Sequence, residues 1–496
     1  MLHRHFSTAL LSIIVVTLAF LSSCRDDEFE TSPEFRLSFS VDTLFFDTVF
    51  TSIGSATRTV KAYNRGNNPV RIRRILVEND ANQSFRVNVD GLSGVEFEDV
   101  EIRAGDSLFF FVEVTVDPEG DQLYPFVEGA LRFELVGGVQ RLPIVAWGWD
   151  AIFYPRPQDS VQVIQGLPPF YTIGSPGEAI TWTNEKPIVV RNYLVIDTDQ
   201  RLDIAAGTKI FFHQGAGLWI FSGGRIRALG SVDNPITFQG DRLEPFYAEQ
   251  PGQWDRIWIN EGSEENRLEN VIIKNNFIGL QLEPFPAGPQ ANELSANGVR
   301  MRNVVVRNNS ITGILSRNYR IDAQNLMLSR AGQHLLVTQG AGQYRFDHCT
   351  FANNWNLAIR QSPSLLLTNR YEASAGIFTG QIINSQFRNC IIYGNNQNEI
   401  VLDMDEDVNI DLTFSHCLFR AEQDNILSIQ QDYLSGQNWV GNQPGFINFS
   451  AGDFRLREDA FVRGLGMNAA GLPTNDLIGF PYASPRPLGC LEYMPE

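Results

Sequence analysis

Six segments of this chain fall into one register: "LENVIIKNN" at Leu268, "MRNVVVRNN" at Met301, "AQNLMLSRA" at Ala323, "FDHCTFANN" at Phe346, "FRNCIIYGN" at Phe387 and "FSHCLFR" at Phe414. Their starts lie 33, 22, 23, 41 and 27 residues apart, so the unit is about 22 residues with loops of varied length inserted. A unit of that size cannot bury an apolar face alone, and its copies have to stack. The first position of each copy is apolar and is expected to face inward; the second (Glu269, Arg302, Gln324, Asp347, Arg388, Ser415) is polar and is expected to face out. Val271, Val304, Leu326, Cys349, Cys390 and Cys417 form another inward column, followed two places on by Ile273, Val306, Leu328, Phe351, Ile392 and Phe419. A further strand is expected in most copies, starting at Gly279, Gly313, His334, Asn356 and Glu399.

Between the first two inward columns stand Asn270, Asn303, Asn325, His348, Asn389 and His416. Asparagine tolerates the left-handed backbone of a tight bend, and stacked amides can hydrogen-bond along the stack. The column resembles the asparagine ladder of right-handed parallel β-helices. The stretch "LDIAAGTKIFFHQGAGLWIFSGG" from Leu202 and the ending "NQPGFINFSAGDFRLRED" with "PRPLGCLEY" resemble the opening coils, closing coil and tail of bacterial, Bacteroidetes-type β-helix lipoproteins. Here Gly489-Cys490-Leu491-Glu492 departs from the usual Gly-Ala-Tyr-Glu. The resemblance implies an all-β chain whose residues 150–455 form a right-handed parallel β-helix of roughly ten to twelve coils, with 456–496 as a closing tail. One outward column, Ile272, Val305, Met327, Thr350, Ile391 and Leu418, is nevertheless apolar. A cover is therefore expected over it: the preceding domain, the loop Glu283 to Asn297, or a partner.

Before the repeats, runs such as "RLSFSVDTLFFDTVF", "DSLFFFVEVTVDPEG" and "RLPIVAWGW" alternate with turn residues and show no helical period. They predict a β-sandwich over residues 35–149. The phrase "VKAYNRGNNPV" from Val60 resembles the immunoglobulin-like modules found beside bacterial surface domains and in cilia-associated proteins.

Residues 1–23 carry Arg4 and then an apolar stretch from Ala9 to Leu21, the order of a secretory signal and too short to span a bilayer comfortably. The stretch ends in "LSSC", which resembles the lipobox of bacterial lipoproteins. That resemblance implies removal of 1–23, acylation of Cys24, and a protein lipid-anchored in the outer membrane, on its periplasmic side or at the cell surface. Several acyl chains, at about 0.8 kcal/mol per buried methylene, hold durably where one does not. Residues 24–34 read as an acidic tether. Asp26-Asp27-Glu28 resembles the signal that sends some Bacteroidetes lipoproteins to the outer face, although a merely soluble leash is acidic too.

The net charge of −18 becomes −19 without residues 1–23, whose only charged side chain is Arg4. Such a field opposes nucleic acid as a partner, and acidic glycans as well unless calcium or a local basic strip intervenes. Beyond Cys24 the chain holds only Cys349, Cys390, Cys417 and Cys490, too few for a disulfide scaffold. Three of them share an inward column and read as core.

Candidate chemistry is sparse. In "VLDMDEDVNIDL" the carboxylates of Asp403, Asp405, Asp407 and Asp411 would share one face of an extended strand, where calcium could serve as their counter-cation and possible cofactor, or where they could be catalytic. A solvated loop accounts for them equally well. Arg302, Lys274, Arg307 and Arg388 could supply a lyase base, or could simply be solvated. Trp254, Trp258 and Trp355, with Trp219, could stack on sugar faces, and core packing competes for the same rings. The histidines show no metal-ligand spacing. The function expected is a surface-anchored binding or structural module for polysaccharide. The alternatives are a polysaccharide lyase or glycoside hydrolase, and an adhesin or assembly component with a protein partner on the apolar strip.

Overall fold

Period-two alternation governs the amino-terminal unit, as in Arg58–Tyr63 and Ser107–Val114, where buried and exposed side chains alternate. The computed structural model describes residues 28–80, 82–118, 122–262, 264–284, 293–373, 376–422 and 433–495; the leader 1–23 and Cys24 lie outside the described residues. The chain divides after Asp150 into two compact units. The first is an immunoglobulin-like sandwich of two five-stranded sheets, antiparallel except where Leu44–Phe50 runs parallel to Gly138–Trp149. Val60, Phe110 and Val112 of one sheet meet Ile72, Phe133 and Ile144 of the other in a single core. Asn64 pins the "NRGNN" turn: its side-chain amide donates to Asn68 O (2.8 Å), Ile102 O and Arg103 O (both 3.0 Å), and its Oδ1 accepts from Gly66 N.

The second unit is a parallel β-helix with three ladders of parallel strands. The repeat copies stack in the register read from the sequence: Leu268 pairs with Met301, then Ala323, Phe346, Phe387 and Phe414. Strands such as Asn266–Lys274 bend at the asparagine column, giving their first half to the first ladder and their second half to the second. All six bend residues have positive φ, from 51° at Asn270 and His348 to 56° at Asn303 and Asn389. The third ladder is built by strands that include Gly217–Ile220, Ile278–Leu282 and Leu365–Thr368. Inside, Phe346, Phe387 and Phe414 stack at 4.7 Å intervals, and Cys349, Cys390 and Cys417 are fully buried free thiols. They behave as small hydrophobes, as their column predicts.

Three expectations need correction. The "NLAI" segment is not a strand: Leu357 is 49% and Ile359 94% exposed, and Leu365–Thr368 supplies the rung instead. Its alternating Leu365 and Leu367 point into the core, a pattern that "NLAI" cannot continue because Arg360 behind it is buried in an ion pair. Next, the apolar outward strip is covered in its later rungs by the chain's own carboxy-terminal tail, which the sequence did not offer as the cover. Met327, Ile391 and Leu418 pack against Phe446, Phe454, Leu456, Val462, Leu488 and Cys490 of the carboxy-terminal tail. Finally, the tail begins earlier than residue 456, because Phe446–Asn448 and Asp453–Leu456 form an antiparallel hairpin that belongs to this cover.

The tail also completes the asparagine ladder. Asn303 donates to Asn270 Oδ1 (3.0 Å), Asn325 to Asn303 Oδ1 (2.9 Å) and Asn389 to His348 Nε2 (2.8 Å). Between Asn325 and His348 stands Tyr482, whose hydroxyl donates to Asn325 Oδ1 (2.9 Å) and whose ring stacks on His348 at 4.3 Å. The His348 Nδ1–H donates to Gly489 O (3.1 Å). Gly489 has φ +84°, and a Cβ there would come within 2.7 Å of Ile391 and Thr350, so only glycine lets the tail approach this closely. A second ladder, unread in the sequence, lines the next bend: Asn308 donates to Asn275 Oδ1 (3.1 Å), and Asn309 hydrogen-bonds to Asn276.

Burial pushes the His348 imidazole down to about 4. The cause is visible: Nε2 accepts from the Asn389 amide, and a second proton there would face a donor. An unfolded histidine titrates near 6.5, so the unfolded chain takes up this proton first as pH falls. Stability supplied by neutral His348 is present in full above about pH 6.5 and is lost between there and about pH 4, worth roughly 3 kcal/mol. Thermal melts across this range will show the loss, and His348→Asn, which restores the residue of the neighbouring rungs, will flatten it.

Candidate functional site: an arginine and carboxylate strip on the first ladder

The three ladders present three different outward faces. In its later rungs the second ladder lies under the tail. The third carries a column from Trp258 through Gln281, Leu315, Val337 and Leu366 to Val401. The first ladder presents polar and mostly charged side chains. One of its columns runs Asp203, Arg227, Arg267, Arg300, Asp322, Arg345, Gln386, and the column beside it runs Glu269, Arg302, Gln324, Asp347, Arg388, Ser415.

Charge pairs knit this face across rungs. Arg302 Nη2 reaches Asp322 at 2.7 Å and its Nη1 donates to Asp322 O at 2.9 Å. Asp347, whose side chain is fully buried, accepts from Arg345 and Arg388, each at 2.7 Å. These pairs hold the later half of the strip rigid. In the earlier half Asp203 lies 3.9 Å from Arg227, Arg267 pairs with Glu269 and Glu265 lies 3.0 Å from Arg300. At the edge of the strip a cleft of about 380 Å³ opens between Asn297, Arg320, Asp322, Gln343, Arg345 and Asn384. Every side chain on that list can donate to or accept from a hydroxyl or carboxylate.

The residues singled out in the sequence are scattered by the fold. Trp254 is fully buried in the core, stacked on Phe212 at 4.3 Å, and offers no ring face to a ligand. Trp355 is 9% exposed. Trp258 is half-buried, its ring stacked on Trp219 at 4.5 Å. Asp403 ends a third-ladder strand and pairs with Arg370. Asp405 and Asp407 lie beyond that strand, where the backbone turns, so the acids do not share an extended face. Asp405 exchanges backbone hydrogen bonds with the Asn369 side chain (3.0 and 2.8 Å) and accepts from Asp407 N (3.1 Å), the pattern of a turn rather than a cation cage. Among the described residues no group of three or more His, Cys, Asp or Glu side chains is arranged to hold a metal ion. Trp258 and Asp403 share the third ladder five rungs apart, about 24 Å at the strand spacing of ~4.8 Å.

Lys274 pairs with Glu249 at 3.7 Å beside Arg307, and its ammonium is depressed by burial and by that arginine. Arg388 is committed to Asp347. None of Asp403, Arg388 and Lys274 therefore shares an ion-pair partner with another. The column containing Arg227, Arg267 and Arg300 went unread, although its signal was present: each arginine stands one place before an inward first-ladder residue, Ala228, Leu268 and Met301.

By fold the protein is a parallel β-helix joined to an immunoglobulin-like sandwich. No protein-family model matches the chain, and no curated protein matches it. Solved structures with a local likeness include the following two. The Vibrio cholerae VesB protease is 14% identical with a TM-score of 0.17, over 23% of this chain and 31% of that one. The ASH / PapD-like domain of human CEP192 (PapD-like domain 7) is 10% identical with a TM-score of 0.17, over 26% of this chain and 94% of that one. The chain thus spans under a third of the first structure's length, and neither likeness carries a functional argument.

Proposed function

We propose that this protein is a lipid-anchored lipoprotein of the outer membrane whose β-helix binds polysaccharide along the first-ladder strip. The supporting observation is the strip itself: an outward face whose polar groups recur rung after rung, as a polymer with a regular repeat requires. The tail argues against a protein partner on the apolar strip, because it already occupies the later rungs of that face. Cleavage is not part of the proposal, since the candidate carboxylates and bases are engaged separately. Cys24 would carry the anchor.

Two measurements test the proposal. In native gels cast with a panel of polysaccharides, the purified protein in detergent is expected to be retarded by at least one, without releasing oligosaccharides; migration unchanged throughout would contradict the binding role. In cells fed labelled palmitate, the label is expected on the protein and is expected to vanish in Cys24→Ala. Label that persists in the variant would remove the anchor from the proposal.

A further inference from the structure

We infer that the polysaccharide is a polyanion, bearing carboxylate or sulfate groups, and that Arg227, Arg267 and Arg300 form its contact column. This rests on the glycan-binding reading above and narrows it to a ligand class.

Like charges set directly opposite each other on paired strands repel. Yet these three arginines occupy one register position in three successive rungs, at the ~4.8 Å strand spacing. Their side chains are 39%, 37% and 41% exposed, so the row faces solvent rather than being absorbed into packing. Neighbouring acids neutralise it incompletely. Asp203 is beyond hydrogen-bond distance of Arg227 at 3.9 Å, Arg267 gives one nitrogen to Glu269, and Arg300 divides its charge between Glu265 (3.0 Å) and Asp322 (3.7 Å). A guanidinium has five N–H donors in a planar fork that matches an oxyanion edge, so each arginine keeps donors for an incoming group. An anion between neighbouring arginines would relieve the repulsion that the fold otherwise carries. A neutral sugar would not.

The chain's net charge of −18 does not forbid this. At physiological salt, charges more than about 8 Å away are largely screened, so a polyanion lying on the row responds to the row. Asp203 and Asp322 close the column at its two ends, which limits the contact to three rungs.

The test compares the purified protein in detergent on polygalacturonate, chondroitin sulfate, dextran and hydroxyethylcellulose, at low and high salt. Retardation by one or both anionic polymers, weakened by salt, is expected. The variant R227Q/R267Q/R300Q is expected to lose about tenfold in affinity, taking about 0.5 kcal/mol for each exposed ion pair. The sandwich variant R71Q/R141Q should bind like the parent. Should the triple variant fail to fold, R267Q alone is read, with a loss of about twofold expected. Binding to the neutral polymers only would overturn this inference and leave the glycan-binding reading standing. Polyanion binding that the variants do not change would overturn the assignment of the column, and binding to none of the four polymers would overturn the ligand class.

Discussion

Removing residues 443–496 is expected to leave a chain that no longer folds into a soluble β-helix. The tail buries Phe446, Phe454, Leu456, Val462, Leu488, Cys490 and Leu491, all under 9% exposed, against Met327, Ile391 and Leu418. Full burial of one large apolar side chain is worth about 1.5–3 kcal/mol, so together they contribute on the order of 10 kcal/mol, comparable with the entire stability of an ordinary domain. The loss is also qualitative, because an uncovered row of apolar side chains along stacked strands is a surface for aggregation. Soluble yield, binding of a hydrophobic dye and thermal unfolding read the effect. The milder Leu488→Ala should cost about 2–5 kcal/mol and keep the fold. A truncated protein that stayed monomeric with an unchanged melting temperature would show that the cover is dispensable.

The second large effect is expected at Glu399→Ala. Glu399 and Arg360 form an ion pair with side chains 0% and 2% exposed. The carboxylate also accepts from Ser364 N (2.8 Å), Ser364 Oγ (2.6 Å) and Asn396 N (2.7 Å), so one side chain ties together the third-ladder strand and the loops on either side of it. Deleting it strands a buried guanidinium, which costs about 3–5 kcal/mol, and leaves backbone donors without a partner. A fall of roughly 5 °C in the melting temperature of the β-helix follows, with Glu399→Gln losing less because it still accepts hydrogen bonds. An unchanged melting temperature for Glu399→Ala would mean that the pair is open to water.

Much of this fold was legible because a solenoid repeats its contacts. Leu268, Met301 and Phe346 meet their equivalents one rung away, so a column in the sequence is a column in space. The bend at Asn270 could be read for the same reason. What repeats nowhere was not legible. Tyr482 meets Asn325 across a separation of 157 residues, and no periodicity announces that contact. The apolar outward column did reveal that a cover exists, but not that the chain's own tail supplies it. For Asp403 and Asp405 the sequence left an extended face and a solvated loop both open, because local pattern alone does not fix where the strand at Ile400–Asp403 gives way to a turn. Arg360 was hidden because the "NLAI" before it alternates like a strand, and a buried charge is recognised only through its partner. The column of Arg227, Arg267 and Arg300 repeats as regularly as the asparagines and was legible in the same way.

The decisive measurement is protection of arginines from phenylglyoxal, mapped by mass spectrometry with and without the polysaccharide that retards the protein in gels. Protection is predicted at Arg227, Arg267, Arg300 and Arg302 on the first ladder, with Arg317 and Arg370 of the third-ladder side and Arg71 and Arg141 of the sandwich modified as before. Protection centred on Arg317 and Arg370, or none on the first ladder, would place the ligand elsewhere and contradict the strip as the binding face.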